Sequence, residues 1–223
     1  MKPILIYSGG GNPRFYKIAI NTGFEYGAQL PDTLYGQLFF ADQNWKNPNR
    51  KTYMTCLEKY KPTMATVLDL EKEDQFDEVL NWAEEASQYV DIVQIIPKIR
   101  GVIKKIPRKI NGKNIILGYS VPTKYGKTDV PLKEFHNWDI HLLGGSPSKQ
   151  FEVWRELKDK ANVFSIDGNY YRMKATRFCE YYGMDYKWHP DGNENIIDAH
   201  YIVFKKSCEN INMLWENITK NEQ

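Results

Sequence analysis

Eight short apolar runs, spaced along most of the chain, constrain what this sequence can fold into. Seven are clear, at residues 4–8, 37–42, 65–70, 91–97, 114–120, 140–144 and 163–167, and a weaker one lies at residues 24–30. They are nearly continuous in Val, Ile, Leu and Phe rather than alternating with polar residues. That is the pattern of strands covered on both faces, as in a parallel sheet. Amphipathic stretches separate them at residues 13–21, 49–61, 73–89, 131–138, 147–161 and 170–182, and a long one runs from about 195 to 221. Strand and helix alternating about eight times predicts a compact α/β (β/α)8 TIM-like barrel with a C-terminal helical extension. A doubly wound open sheet is the second candidate, since periodicity cannot show closure.

The 223 residues allow one full domain or two small ones. No repeat, low-complexity segment or Pro/Ser linker divides them. The polar, turn-rich stretch 183–195 is the nearest thing to a boundary. The expected division is therefore a catalytic barrel over 1–183 and a helical extension over 184–223 packed on it. The formal charge of +2 announces no global field for nucleic acid, so any basic surface must be local. Residues 98–113 hold Lys98, Arg100, Lys104, Lys105, Arg108, Lys109 and Lys113 with no acidic residue. This run is either a solvated loop or a phosphate-backbone contact.

Cys56, Cys179 and Cys208 cannot complete a disulfide framework, and no CxxC pair is present. The reading is free thiols in a cytoplasmic protein with no signal peptide, no membrane span and no cofactor. Cys179, His189, His200 and Cys208 match no zinc spacing, so no metal is expected. Ser8-Gly9-Gly10-Gly11 lacks both the GK[ST] ending of a P-loop and the GxGxxG order of a dinucleotide site. His141, inside an apolar run, reads as a core residue rather than a base.

In a parallel barrel the functional groups stand at the C-terminal ends of the strands. Here those ends carry Asp42 with Trp45 just beyond, Asp69, Tyr119 with Ser120, Gly144 with Gly145, and Asp167 with Asn169; Gln94 interrupts an apolar run. A carboxylate closing an apolar strand needs partners, a cation or a function, because burying its charge alone is costly. Each Asp taken singly also fits a loop cap or a turn.

The order of these motifs resembles the tRNA-guanine transglycosylase superfamily, including its members that act on DNA. Ala41-Asp42-Gln43, Val67-Leu68-Asp69, Ile92-Val93-Gln94-Ile95, Gly118-Tyr119-Ser120, Leu142-Leu143-Gly144-Gly145-Ser146-Pro147 and Ser165-Ile166-Asp167-Gly168-Asn169 follow the family's sequence of strand ends. Arg172, Lys174, Ala175 and Arg177 stand where it has a basic helix. The family's glycine pair after the first Asp and its CxCxxC…His zinc set are missing, and the chain is shorter. The resemblance implies cleavage of an N-glycosidic bond in DNA, favoured over tRNA, by excision or by base exchange, in DNA modification or phage defence. It assigns Asp167 as nucleophile and Asp42 as general acid/base. Asp69, Gln94, Tyr119, Ser120, Gly144, Gly145, Asn169 and Trp45 would bind the base, with Tyr170 a further stacking candidate. Lys104, Lys105, Arg108, Lys109, Arg172, Lys174 and Arg177 would hold the nucleic-acid backbone. The alternatives are a small-molecule nucleoside or sugar enzyme and a non-catalytic nucleic-acid-binding barrel.

Overall fold

A computed structural model describes residues 1–123, 128–191 and 197–220. Eight strands run parallel: β1 (Ile4–Ser8), β2 (Glu25–Gln29), β3 (Phe40–Asp42), β4 (Met64–Thr66), β5 (Ile92–Ile95), β7 (Lys113–Ser120), β8 (Asp139–Leu143) and β9 (Asn162–Gly168). Each pairs with its neighbours in the order β5-β4-β3-β2-β1-β9-β8-β7, and β7 pairs back onto β5. The sheet is therefore closed, a parallel eight-stranded barrel, which decides against the open sheet. A two-residue β6 (Lys109–Ile110) adds antiparallel to the start of β7. The weak eighth run, which has Glu25 and Gly27 among its residues, is a full barrel strand.

The barrel has two apolar regions on opposite sides of its wall. Side chains alternate across a strand, and β7 separates them cleanly. Ile116 joins Ile6, Phe40 and Met64 inside the barrel, whereas Ile115, Leu117 and Tyr119 belong to the larger outer core. Above the interior apolar layer the inward positions turn polar: Thr66, Gln94, His141 and Ser165 are fully buried. The barrel is thus apolar at its base and polar toward the C-terminal ends of its strands.

Helices α1 (Pro13–Asn21), α2 (Arg50–Tyr60), α3 (Phe76–Ala86), α4 (Pro147–Leu157) and α5 (Tyr170–Phe178) cover the outside. Their starts are legible: Asn12 and Asn49 cap α1 and α2 through side-chain oxygens, and Ser146 caps α4, which like α1 has Pro in its first turn. One expected helix fails and another is cut short. Residues 131–138 form only a short 3-10 turn at Leu132–Phe135, and the stretch after α5 turns into a hairpin, β10 (Glu180–Tyr182) with β11 (Trp188–Pro190). Pro131 and the left-handed Asn137 leave no room for more than one turn in the first case. In the second, Cys179 takes a left-handed conformation and ends α5.

The last helix, α6 (Ala199–Lys220), packs across α1, α5 and β10. Phe204 sits among Phe15, Tyr7 and Tyr171 with ring centroids 4.8, 5.5 and 5.5 Å away. The outer core runs from the strands into α6 without a break. Residues 195, 196 and 221, read as parts of this helix from sequence, lie outside the described residues. Among the described residues no helix is long and apolar enough to cross a membrane.

Candidate active site

The C-terminal ends of the strands open onto a cavity of about 530 Å³. Asp42, Trp45, Asp69, Ser120, Gly144, Gly145 and Asp167 line it, together with Glu71, Ile96, Lys98, Val121, Thr123, Asp129 and Leu143. Seven residues singled out from the sequence therefore meet in one mouth. A depression of about 430 Å³ between α2 and α3 lies outside the barrel, and its Arg50 and Glu85 pair with each other at 2.7 Å.

Asp167 ends β9 with Oδ1 accepting from the Gly144 backbone N–H at 2.8 Å and 3.5 Å from His141 Nε2. Burial alone would raise this carboxyl. The His141 side chain, the Gly144 N–H and Ser8 on β1 outweigh it and hold Asp167 below the usual carboxylate range. Gln150, a residue of α4 absent from the sequence reading, ties this corner together. Its Nε2 donates to the carbonyls of Gly144 and Asp167 at 2.7 and 2.8 Å. Gly145 has φ +81° and a side chain there would start 2.5 Å from Val121 Cγ1, so the turn after β8 accepts only glycine.

Asp42 behaves in the opposite way. Burial, the nearby Asp167 charge and, more weakly, Asp69 push it up to about 7, against a hydrogen bond from Thr66 Oγ1 to its Oδ1 at 2.9 Å. The mouth thus holds two carboxyl groups with separated proton affinities. Near neutral pH Asp167 is an anion while Asp42 still carries a proton for a large part of the time. Such a pair divides into an acid and an anionic partner.

Asp69 stands 3.6 Å from Lys98 Nζ, which also donates to Ser120 Oγ. Burial raises Asp69 and Lys98 opposes the rise. The bridge Leu70↔Pro97 extends the β4–β5 pairing and places the two side by side. Lys98 was visible only as the first member of the basic run. Its position directly after a strand end was the signal that marked it.

Other expected residues are elsewhere. Tyr119 points outward and meets the Phe135 ring edge-on at 5.2 Å, because β7 turns Gly118 and Ser120 inward and position 119 away. Gln94 is one layer below the mouth, under Gly118. Asn169 is exposed and donates to the Ser8 carbonyl at 3.1 Å, while Tyr170 packs against Trp188. The basic run follows the outside of the barrel from the top of β5 to its base. Lys104 and Lys105 lie in a 3-10 turn with Lys105 3.1 Å from Glu73, and Lys109 flanks the start of β7. Arg108 lies over the Trp138 ring at 3.5 Å and donates to the Asn137 carbonyl. Arg172 donates to the Gly10 carbonyl at 2.5 Å, Lys174 pairs with Glu180 at 2.6 Å, and Arg177 is exposed beside Phe178 on the outer face of α5. Apart from Lys98 none of these cations faces the cavity, whose lining holds five carboxyl groups (Asp42, Asp69, Glu71, Asp129, Asp167).

Among the described residues no group of three or more His, Cys, Asp and Glu side chains is placed to hold a metal ion.

The comparison with family models decides where the chain belongs, because one model matches residues 16–216, nearly all of the barrel and α6. The chain belongs to a family of unknown function (DUF6610). No curated protein matches it. Three chains among solved structures do. One is a monomeric form generated from the dimeric phosphoribosylanthranilate isomerase of Thermotoga maritima. It is similar over 97% of this chain and 98% of that one, at 12% identity and a TM-score of 0.41.

Proposed function

We propose that this family member is an enzyme that breaks the N-glycosidic bond of a small nucleoside-like or sugar-like substrate, with Asp42 as general acid and Asp167 as the carboxylate at the anomeric carbon. The observation that carries the reading is that the two carboxyl groups line one mouth in different surroundings, Asp42 with the Thr66 hydroxyl and Asp167 with the Gly144 N–H and His141. The order of motifs that resembles the transglycosylase superfamily supports the reaction class.

Breaking the bond leaves positive charge on the sugar and negative charge on the departing base. Asp42 has Oδ1 engaged by Thr66, so its proton sits on Oδ2 and passes to the base nitrogen as the bond opens. Asp167 has Oδ1 engaged by Gly144, which leaves Oδ2 to meet C1 of the sugar and form a glycosyl ester. Water then attacks C1, gives its proton to the Asp42 carboxylate, and releases Asp167 as an anion. Paired carboxylates divide glycoside hydrolysis in the same way.

A small substrate fits better than DNA. Polyanion binding needs cations along the groove, whereas this lining is rich in carboxyl groups and the basic run lies outside it. The anion-binding position expected near the last two barrel loops is filled by the chain's own Asp167 on the Gly144 N–H. Lys98 and Asp69, a donor beside an acceptor, suit a polar edge of a neutral ring.

The test is incubation with a panel of nucleosides and, separately, single- and double-stranded oligonucleotides, with released bases read by chromatography. Release from nucleosides, lost in Asp167→Asn, is expected. Release from oligonucleotides alone would return the substrate to nucleic acid. Turnover retained by a folded Asp167→Asn variant would remove the mechanism.

A further inference from the structure

His141 belongs to no step above, yet it is fully buried within the barrel, hydrogen-bonded at Nδ1, with an Nε2 that has no hydrogen-bond partner and is aimed at Asp167. Its Nδ1 is 2.7 Å from Ser165 Oγ and its Nε2 faces Asp167 Oδ1 at 3.5 Å. The Phe40 ring lies 5.0 Å from the imidazole, so one side of the ring is apolar. A polar ring held in such a place calls for a reason, because its desolvation costs free energy unless both nitrogens are satisfied.

We propose that Ser165, His141 and Asp167 form a buried relay in which His141 is a positioning residue, keeping Asp167 the anionic member of its pair with Asp42. The carboxylate takes a donor, so Nε2 carries the hydrogen. The Ser165 hydroxyl can turn either way. It donates to Nδ1 when the imidazole is neutral and accepts from Nδ1–H when it is charged. Both contacts therefore survive a change of charge on the ring, and Asp167 faces an N–H throughout. Ser165 and Asp167 alternate on the same inward face of β9, which a bulge opposite Ile140/His141 brings into this register.

The groups around Asp167 are few. Asp42 faces it from β3, His141 from β8 and the Ser8 hydroxyl from β1; Tyr171 acts on it from α5, and Asp69 with Lys98 lies beyond Asp42. His141 is the strongest of the groups that favour a negative charge on Asp167, ahead of the Gly144 N–H and the Ser8 hydroxyl, while Asp42 opposes it. Without the imidazole Asp167 keeps only the Gly144 N–H and Ser8, and the division into acid and anion narrows.

This inference deepens the acid and anion assignment and rests on it, but its test needs no substrate. Carbon-13 aspartate labelling allows the carboxyl titrations of Asp42 and Asp167 to be followed by NMR, each assigned by its Asn variant. In His141→Phe the Asp167 midpoint should rise by at least about one pH unit, a tenfold gain in proton affinity, and the two midpoints should approach each other. Ser165→Ala, which keeps the ring but frees its tautomer, should give a smaller shift in the same direction. If His141→Phe does not fold, His141→Gln replaces it, with an intermediate shift expected. Unchanged titrations in folded variants would overturn the relay, even if base release is observed. Shifted titrations would uphold it, even if no nucleoside is cleaved.

Discussion

Thr66 Oγ1 donates to Asp42 Oδ1 at 2.9 Å and accepts from the Gln43 backbone N–H at 3.0 Å. The second contact turns the hydroxyl hydrogen toward the carboxyl, a geometry that favours a carboxylate. Asp42 is nevertheless pushed up to about 7, because burial and the facing Asp167 outweigh one hydrogen bond.

The pH dependence of folding follows from that imbalance. Asp42 binds its proton more tightly folded than unfolded, so its contribution is fully present below the ordinary Asp value near 4 and is lost as pH rises toward 7. Asp167, held low, contributes in the opposite sense: its part is present above the ordinary value and is lost as pH falls through the depressed one. Urea unfolding of Asp42→Asn across pH 4–8 should show a smaller decline than the parent over that window, the remainder coming from the likewise raised Asp69.

Activity should fall on both sides for the same reasons. Base release is expected to drop above about pH 7 as Asp42 loses its proton, and at acid pH only below the usual carboxylate range, where Asp167 gains one. Asp42→Asn should lower kcat by about 10²–10⁴ and remove the alkaline limb. Steady-state rates across pH check both.

Gly118 is a packing requirement of the barrel interior. A methyl group there would begin 2.3 Å from Gln94 Nε2 and 2.7 Å from both Ile96 Cγ1 and Leu143 Cδ1. Gly118→Ala should destabilise by about 1–3 kcal/mol, as overpacking does, measured by chemical denaturation. Because Ile96 and Leu143 also line the mouth, KM should rise as well.

The cations separate into two groups. Arg108→Ala should cost about 1 kcal/mol through loss of its contact with Trp138 and its hydrogen bond to Asn137, with base release unchanged. Lys98→Met should leave folding nearly intact but raise KM and push Asp69 further up, since it removes the group that opposes the burial of Asp69. Thermal melts and the labelled-carboxyl titration distinguish the two.

Much of the fold was legible because a strand buried on both faces must be apolar along its length. Residues 4–8 and 140–144 read as such strands for that reason, and the strand-end carboxylates Asp42, Asp69 and Asp167 stood out against them. The helix expected at 131–138 failed because amphipathic spacing does not register how little room Pro131 and the left-handed Asn137 leave. Tyr119 failed for a different reason: alternation identifies two faces but not which one is inside.

By itself the sequence determined the parallel α/β class, the positions of the strands along the chain and the placement of polar groups at their C-terminal ends, since these follow from local burial and turn chemistry. Only the tertiary structure decided closure of β5 on β7, the outward turn of Tyr119, the meeting of Lys98 with Asp69, and the approach of Asp167 to both Asp42 and the buried His141. Those relationships join residues far apart in the chain. Their energies depend on distance and desolvation, quantities that exist only once the barrel has closed around them.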